Sequence, residues 1–185
     1  MKFLNLFNSI FFTLIMMGAI QIASATEMNK REWVKPKSIT IDKSLNKSTA
    51  KQMLDTAQLY YTFWNSGNTK YLDAVLSPNF IDHTLPQGRP QGPEGLKLAS
   101  KTFRQAVPNL SCSLDDLLIV GEMVTARLLF EGTFAGEFKG HPPTNKPVKF
   151  LAIDILHIKE GKIIEDWHLE DNLTLMQQLN AVKIQ

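Results

Sequence analysis

The chain has 185 residues, a formal net charge of +2 at pH 7 and a single cysteine. A nearly balanced charge, with no basic block interleaved with aromatics, argues against a nucleic-acid partner. The lone Cys112 excludes an internal disulfide framework and a cysteine-rich zinc site, and in an oxidising compartment it is expected to be buried and inert.

Residues 1–25 read as a secretory signal. Lys2 is followed by an uncharged apolar stretch that closes on Ala23-Ser24-Ala25, the small-x-small pattern of a cleavage site. Asn5, Asn8 and Ser9 interrupt that stretch and argue against a retained membrane anchor. The mature protein is therefore expected outside the cytoplasm, periplasmic or secreted, with no membrane contact after cleavage. The ~160 residues that remain make about one domain. Residues 26–47 are polar and lysine-rich apart from a brief "SITI" and read as an extended leader to a domain over 48–185.

From Ser48, taken as an N-cap, Ala50, Met53, Leu54, Ala57, Tyr61 and Trp64 recur at helical spacing until "NSGN" stops the pattern. This aromatic stripe is core, and Tyr61 and Trp64 also become ligand contacts if the helix lids a cavity. "TKYLDAVLSP" is a second, shorter helix and "NFIDHT" a brief extended piece; Pro93 opens a third helix, which Pro108 ends. The period then turns extended, with strands in "LSCSLDDLLIV", "MVTARLLFEGTF", "PVKFLAIDILHI" and "IIEDWHLED" before a short helix in "NLTLMQQLNAV". Three helices ahead of about four antiparallel strands predict an α+β domain in which a curved sheet wraps around the helices.

A tight hairpin at "KEGK" sets Asp154 opposite Trp167 and Phe150 opposite Asp171, with Ala152, Leu169 and Glu165 on the same face. The other face then collects Leu151, Ile153, Ile155 and Ile164 with His157 and His168, while Asp166 and Glu170 alternate outward and are dispensable. Both faces are largely apolar, so one is expected under the helices and the other under a partner subunit, as in a homodimer. On this register Trp167 and Leu169 wall a pocket whose acid or base is Asp171. Asp154 either faces the same pocket or pairs with Arg127 on a neighbouring strand. A slip of one residue exchanges the two faces. No HxH or HExxH spacing points to a metal.

The segments "FIDHT", "GPEG", "FRQAVPNL" and "GTFAGEFKGHPPTNK", the spacing from Trp167 to Asp171, and "QQL" together resemble the SnoaL-like polyketide cyclase or ester cyclase group of the nuclear transport factor 2-like superfamily. The likeness runs from about residue 50 to the C-terminus. It implies a cone of three helices in a curved, mainly antiparallel sheet, an internal apolar pocket, dimerisation through the sheet, and cofactor-free, metal-free ring closure by intramolecular aldol condensation. The family's general acid/base, an aspartate after the strand tryptophan, falls on Asp171 in "WHLED"; the alternative is that Asp171 caps the helix starting near Asn172. His83 in "FIDHT" falls where the family places a polar residue at the pocket mouth, able to donate a hydrogen bond to a developing enolate oxygen. Trp167, Leu169, Phe150 and Asp154, with Trp64 and Tyr61, complete the expected ligand contacts. The reading is an exported protein that binds a small apolar molecule and, without a cofactor, performs acid/base chemistry of the aldol type. The alternatives are a non-catalytic ligand-binding module, or an isomerase or hydrolase on the same scaffold. Characterised polyketide cyclases act inside the cell, so for an exported chain a nascent polyketide is not the expected substrate.

Overall fold

The computed structural model describes residues 30–182, so the expected signal segment 1–25 lies outside the described residues. The chain divides into two units, Met1–Glu32 and Trp33–Gln185. The described part of the first is the 3-10 turn Lys30–Glu32. All that follows concerns the second, in which the described residues form four helices and one six-stranded sheet.

Helix α1 (Lys47–Ser66) is capped two residues earlier than expected: Asn46, not Ser48, accepts the Thr49 amide at 2.9 Å. It ends on Gly67, whose φ of 71° lets its own amide turn back to the Phe63 carbonyl at 2.7 Å. Tyr61 from the expected stripe is fully buried, as are its neighbours Tyr60 and Phe63. Helix α2 (Thr69–Val75) is shorter than expected, because "LSP" already belongs to strand β2 (Leu76–Asp82). Helix α3 (Pro93–Ala106) starts on its proline, and α4 (Asn172–Gln178) closes the described chain.

The "SITI" segment, expected within the leader, is strand β1 (Ser38–Ile41), paired in parallel with β3 (Ser111–Val120). Its side chains stay exposed or half-exposed, so backbone pairing rather than burial ties it to the sheet. Strands β4 (Met123–Thr133), β5 (Pro147–Lys159) and β6 (Lys162–Glu170) continue antiparallel from β3, and β2 joins β6 in parallel. The resulting order is β1-β3-β4-β5-β6-β2. Along β5 the burial alternates strictly: Phe150, Ala152, Asp154 and Leu156 are buried on the inner face, and Leu151, Ile153 and Ile155 are exposed on the outer one.

The β5–β6 turn is the tight hairpin that the sequence predicts. Glu160 and Gly161 both take positive φ, 51° and 74°, as a two-residue turn of the primed type requires. Lys159 pairs with Lys162 and Ile158 with Ile163, but the next pair is His157 with Glu165. Ile164 is therefore an extra residue, a β-bulge, and everything beyond it is shifted by one. Asp154 faces His168 rather than Trp167, and Ala152 faces Glu170. The expected faces of β6 are thus exchanged: Asp166, His168 and Glu170 turn inward, and Glu165, Trp167 and Leu169 turn outward. Asp166 is 1% exposed and Leu169 75%. The alternative pairing of Asp154 with Arg127 is not formed either. Arg127 lies beside Ile153 on the outer face, held by Asp115 and Asp116 at 3.2 and 2.6 Å.

Candidate functional site: a buried carboxyl pocket

The inward turn of β6 places two acids and a histidine beside Asp154 of β5 and against an apolar wall. α1 contributes Tyr60 and Trp64, α3 contributes Leu96, and β4 and β5 contribute Leu128, Phe130 and Ala152. The polar side is Asp154 from β5 with Asp166, His168 and Glu170 from β6, and Arg89 reaches it from the loop between β2 and α3. The cavity volume is about 40 Å³, room for about three waters, and the cavity is partly open to solvent.

Asp166 is the centre of the polar side. Its Oδ2 accepts the buried Tyr60 hydroxyl at 3.2 Å, while its Oδ1 is buried without a hydrogen-bond partner among the described residues. Burial, with the neighbouring Asp82 and Glu170 carboxyls, pushes its pKa up to about 7 against the opposing hydrogen bond from Tyr60 and the charge of Arg89. Burial next to Asp166 and Glu170 drives Asp154 well above the ordinary carboxylate range. The Tyr60 phenol is likewise raised by burial and by both aspartates, so it remains a proton donor near neutral pH. One side of the pocket thus presents a carboxyl with a pKa pushed up to about 7, beside a second carboxyl that burial also raises.

His168 is held behind this pair. Its Nδ1 lies 2.8 Å from Thr84 Oγ1, 3.5 Å from Asp82 Oδ1 and 3.8 Å from Asp166 Oδ2, and its amide donates to Thr84 Oγ1 at 2.9 Å. Asp82 is the last residue of β2, buried at 4% exposure, and its Oδ1 accepts the Thr84 amide at 2.8 Å. The parallel pairing of Asp82 with Asp166 brings the two acids together. Among the described residues, no group of three or more His, Cys, Asp or Glu side chains is placed to hold a metal ion. Cys112 is buried, and burial raises its thiol pKa further out of reach of ionisation.

Four of the residues expected at the site reach the inner face. Asp154 and Trp64 line the pocket, Tyr61 is fully buried on α1, and Phe150 stacks on Phe130 with centroids 5.2 Å apart. The other four do not. Trp167 and Leu169 are on the outer face because of the bulge. His83 stacks on Trp167 there, with centroids 4.4 Å apart and its Nε2 3.2 Å from Glu165, so it turns away from the pocket. Alternation along β2 explains this: Asp82 points in, and His83, the next residue, points out. Asp171 is exposed and caps α4. It accepts the Thr174 amide at 3.0 Å, and hydrogen bonds from Thr174 hold its pKa below the ordinary value.

Tyr60 and Arg89 in the pocket and Asp82 behind it were not among the expected site residues, and Asp166, His168 and Glu170 were expected to face away from it. Tyr60 sits one position from the expected stripe and could have been included. The β6 acids carry no such signal, since Ile163 and Ile164 are both apolar and fit either face. The change of phase at that point is silent in the sequence.

A family model described as SnoaL-like polyketide cyclase matches residues 54–179. Among solved structures, a "putative polyketide cyclase" of Bacillus cereus ATCC 10987 is 52% identical, with 83% of this chain and 97% of that chain covered and a TM-score of 0.76. TsrD of Streptomyces laurentii is 28% identical over 75% of this chain and 100% of its own, with a TM-score of 0.65. Wild-type IdmH of Streptomyces antibioticus, "a putative polyketide cyclase", is 28% identical over 70% and 99%, with a TM-score of 0.63. No curated protein matches the chain. The family match spans the elements that build the pocket, from α1 to α4, and the chain belongs to the SnoaL-like polyketide cyclase family.

Proposed function

We propose that this protein binds a small, mainly apolar carbonyl compound in the pocket and moves a proton on it by way of Asp166, without a cofactor. Asp166 carries this reading. A buried carboxyl with a pKa near 7 is matched to proton transfer at neutral pH, and its Oδ1 is free of protein partners at the cavity wall. Tyr60 is a donor beside it, and Asp154, whose pKa burial raises well above the ordinary carboxylate range, stands on the same side of the pocket, an arrangement suited to a ligand oxygen that gains charge. In a cyclase-like scaffold the corresponding reaction is removal of a proton from a carbon next to a carbonyl, followed by intramolecular carbon–carbon bond formation.

The reading is tested with Asp166→Asn, which keeps shape and removes the proton-carrying oxygen. Ligands that co-purify with the wild type, identified by mass spectrometry, are offered to both proteins. Retained affinity with turnover lowered about a hundredfold or more is expected. Equal turnover would leave a non-catalytic binding module as the better reading.

The export reading rests on the residue 1–25 pattern, and native material beginning at Met1 in N-terminal sequencing would end it. Homodimerisation rests on the exposed apolar outer face of β5.

A further inference from the structure

A second cavity, a groove of about 600 Å³, lies between the α1–α2 corner and α3 and shares no lining residue with the carboxyl pocket. Ser66, Gly67 and Thr69 form one side. The other is a strip of α3 which, at about 100° per residue, runs from Ser100 and Arg104 at one edge through Lys97 and Lys101 to Leu98 at the other. Ser100 is 2% exposed and Leu98 47%, so the strip descends from solvent into the core.

Two polar atoms in this groove lack a partner. Ser100 Oγ and Arg104 Nε are both shut from solvent, and neither makes a hydrogen bond among the described residues. A serine inside a helix can donate to the carbonyl four residues back, here Leu96, but Ser100 does not. Arg104 directs its other two nitrogens to the Leu110 and Trp64 carbonyls, at 3.0 and 2.5 Å. No side chain covers Nε from the α1 end, because position 67 is glycine; a Cβ there would sit 2.7 Å from it. Nearby acceptors are taken: the Thr62 carbonyl accepts Ser66 Oγ, and the Phe63 carbonyl accepts the Gly67 amide. Glu94, the one carboxylate in the lining, is held by Lys97 at 3.0 Å, and Lys97 also pairs with Asp73. Lys101 is exposed and forms no ion pair among the described residues. What the groove lacks is an acceptor, and its uncompensated charge is positive.

We propose that this groove is a second binding site, and that its ligand is an oxyanion, phosphoryl or carboxylate, carried on an apolar body. Its oxygens meet Ser100 Oγ, Arg104 Nε and Lys101 Nζ, and the body lies on Leu98, the one large apolar side chain in the lining. Arginine and lysine nitrogens only donate, so an oxygen acceptor is required, and two cations without a carboxylate of their own favour a charged one. A cationic ligand would face Lys101 and Arg104 and find Glu94 already engaged. Lys101 and Gln105 are exposed and make no side-chain hydrogen bond among the described residues, so both are free to turn as an oxygen enters. The site does not depend on the acid/base reading of Asp166.

The test is NMR titration of the backbone amides with phenyl phosphate, benzoate and benzamide, near neutral pH and at low salt. Phenyl phosphate or benzoate should saturate and move the amides of residues 66–69 and 97–105; the tighter of the two identifies the oxyanion. Lys101→Gln should weaken that binding about tenfold, and Ser100→Ala and Leu98→Ser at least about threefold each. Arg104 is left in place, because its Nη atoms hold two backbone carbonyls. Neither anion saturating by about 20 mM, or Lys101→Gln or Ser100→Ala binding like wild type, overturns the site. A raised Tm for Ser100→Ala with unchanged binding would make Ser100 Oγ a packing defect. Benzamide binding as tightly as benzoate overturns the oxyanion class, and Leu98→Ser binding like wild type overturns the apolar body. Asp166→Asn should bind the anions as wild type does; loss of binding there would put them in the carboxyl pocket and overturn the second site.

Discussion

The Tyr60 hydroxyl donates to Asp166 Oδ2 at 3.2 Å, and both side chains are shut away from solvent. This one hydrogen bond favours the charged carboxylate, but burial and the Asp82 and Glu170 carboxyls outweigh it, leaving Asp166 near 7 instead of the ordinary 3.8. The native state therefore holds a proton that the unfolded chain gives up. The stability attached to this group is complete below about pH 4 and is lost as pH rises from there through about 7. Asp166→Asn removes that loss. Its Tm should match wild type near pH 4 and exceed it by on the order of 5 °C at about pH 8, by scanning calorimetry. A Tm difference that does not change with pH would show that Asp166 is not the titrating group.

Asp171→Ala should act on stability alone. The lost cap of α4 lowers Tm by roughly 2–4 °C at neutral pH. Because the Asp171 pKa is depressed, its contribution is present above the ordinary value of 3.8 and disappears as pH falls through the lower folded value. Ligand affinity and turnover should stay at wild-type levels; a hundredfold loss of turnover would return the acid/base role to Asp171.

Deleting Ile164 removes the bulge and restores even pairing after the turn. Asp166, His168 and Glu170 would then point out, and Trp167 and Leu169 would point into a cavity shaped for carboxyls. No cooperative thermal transition is expected from the deletion, whereas Ile164→Val should fold within about 1 kcal/mol of wild type. A deletion variant that melts cooperatively with its pocket chemistry intact would contradict the bulge.

The outer face of the sheet exposes Leu118 by 44%, Leu151 by 44%, Ile153 by 40% and Leu169 by 75%. Exposed apolar side chains on one sheet face suit a two-fold contact with a second copy. Light scattering should give a dimer for the protein and a monomer for Leu151→Asp/Ile153→Asp, with Tm largely kept because both side chains are already open to solvent. A wild type that is monomeric at high micromolar concentration would rule the contact out.

Local patterns in the chain carried much of the architecture. The period from Ala50 to Trp64 gave α1, Pro93 gave the start of α3, and "KEGK" gave a hairpin whose two central residues adopt the expected positive φ. The α+β class followed from the order of these elements, because each signal is spent within one or two turns of chain. Strand β1 was missed for a physical reason: its Ser-Ile-Thr-Ile alternation is only four residues long and its side chains are not buried, so backbone pairing to β3 is what makes it a strand.

The chemistry of the pocket was decided elsewhere. Alternation along β6 was legible, but its phase was set by Ile164, and two adjacent isoleucines satisfy either face equally well in sequence. Only the inter-strand hydrogen bonds, which pair His157 with Glu165 after Ile158 with Ile163, choose between them. That choice converts Asp171 from pocket acid to helix cap and Asp166 from a solvated charge to a buried proton carrier. Asp82 and Arg89 join the site through a parallel strand pairing and a loop pressed against Gly95, contacts between segments far apart in the chain. A residue's charge is written in the sequence, but its pKa depends on what surrounds it, and those neighbours are assembled only when the sheet closes on α1 and α3.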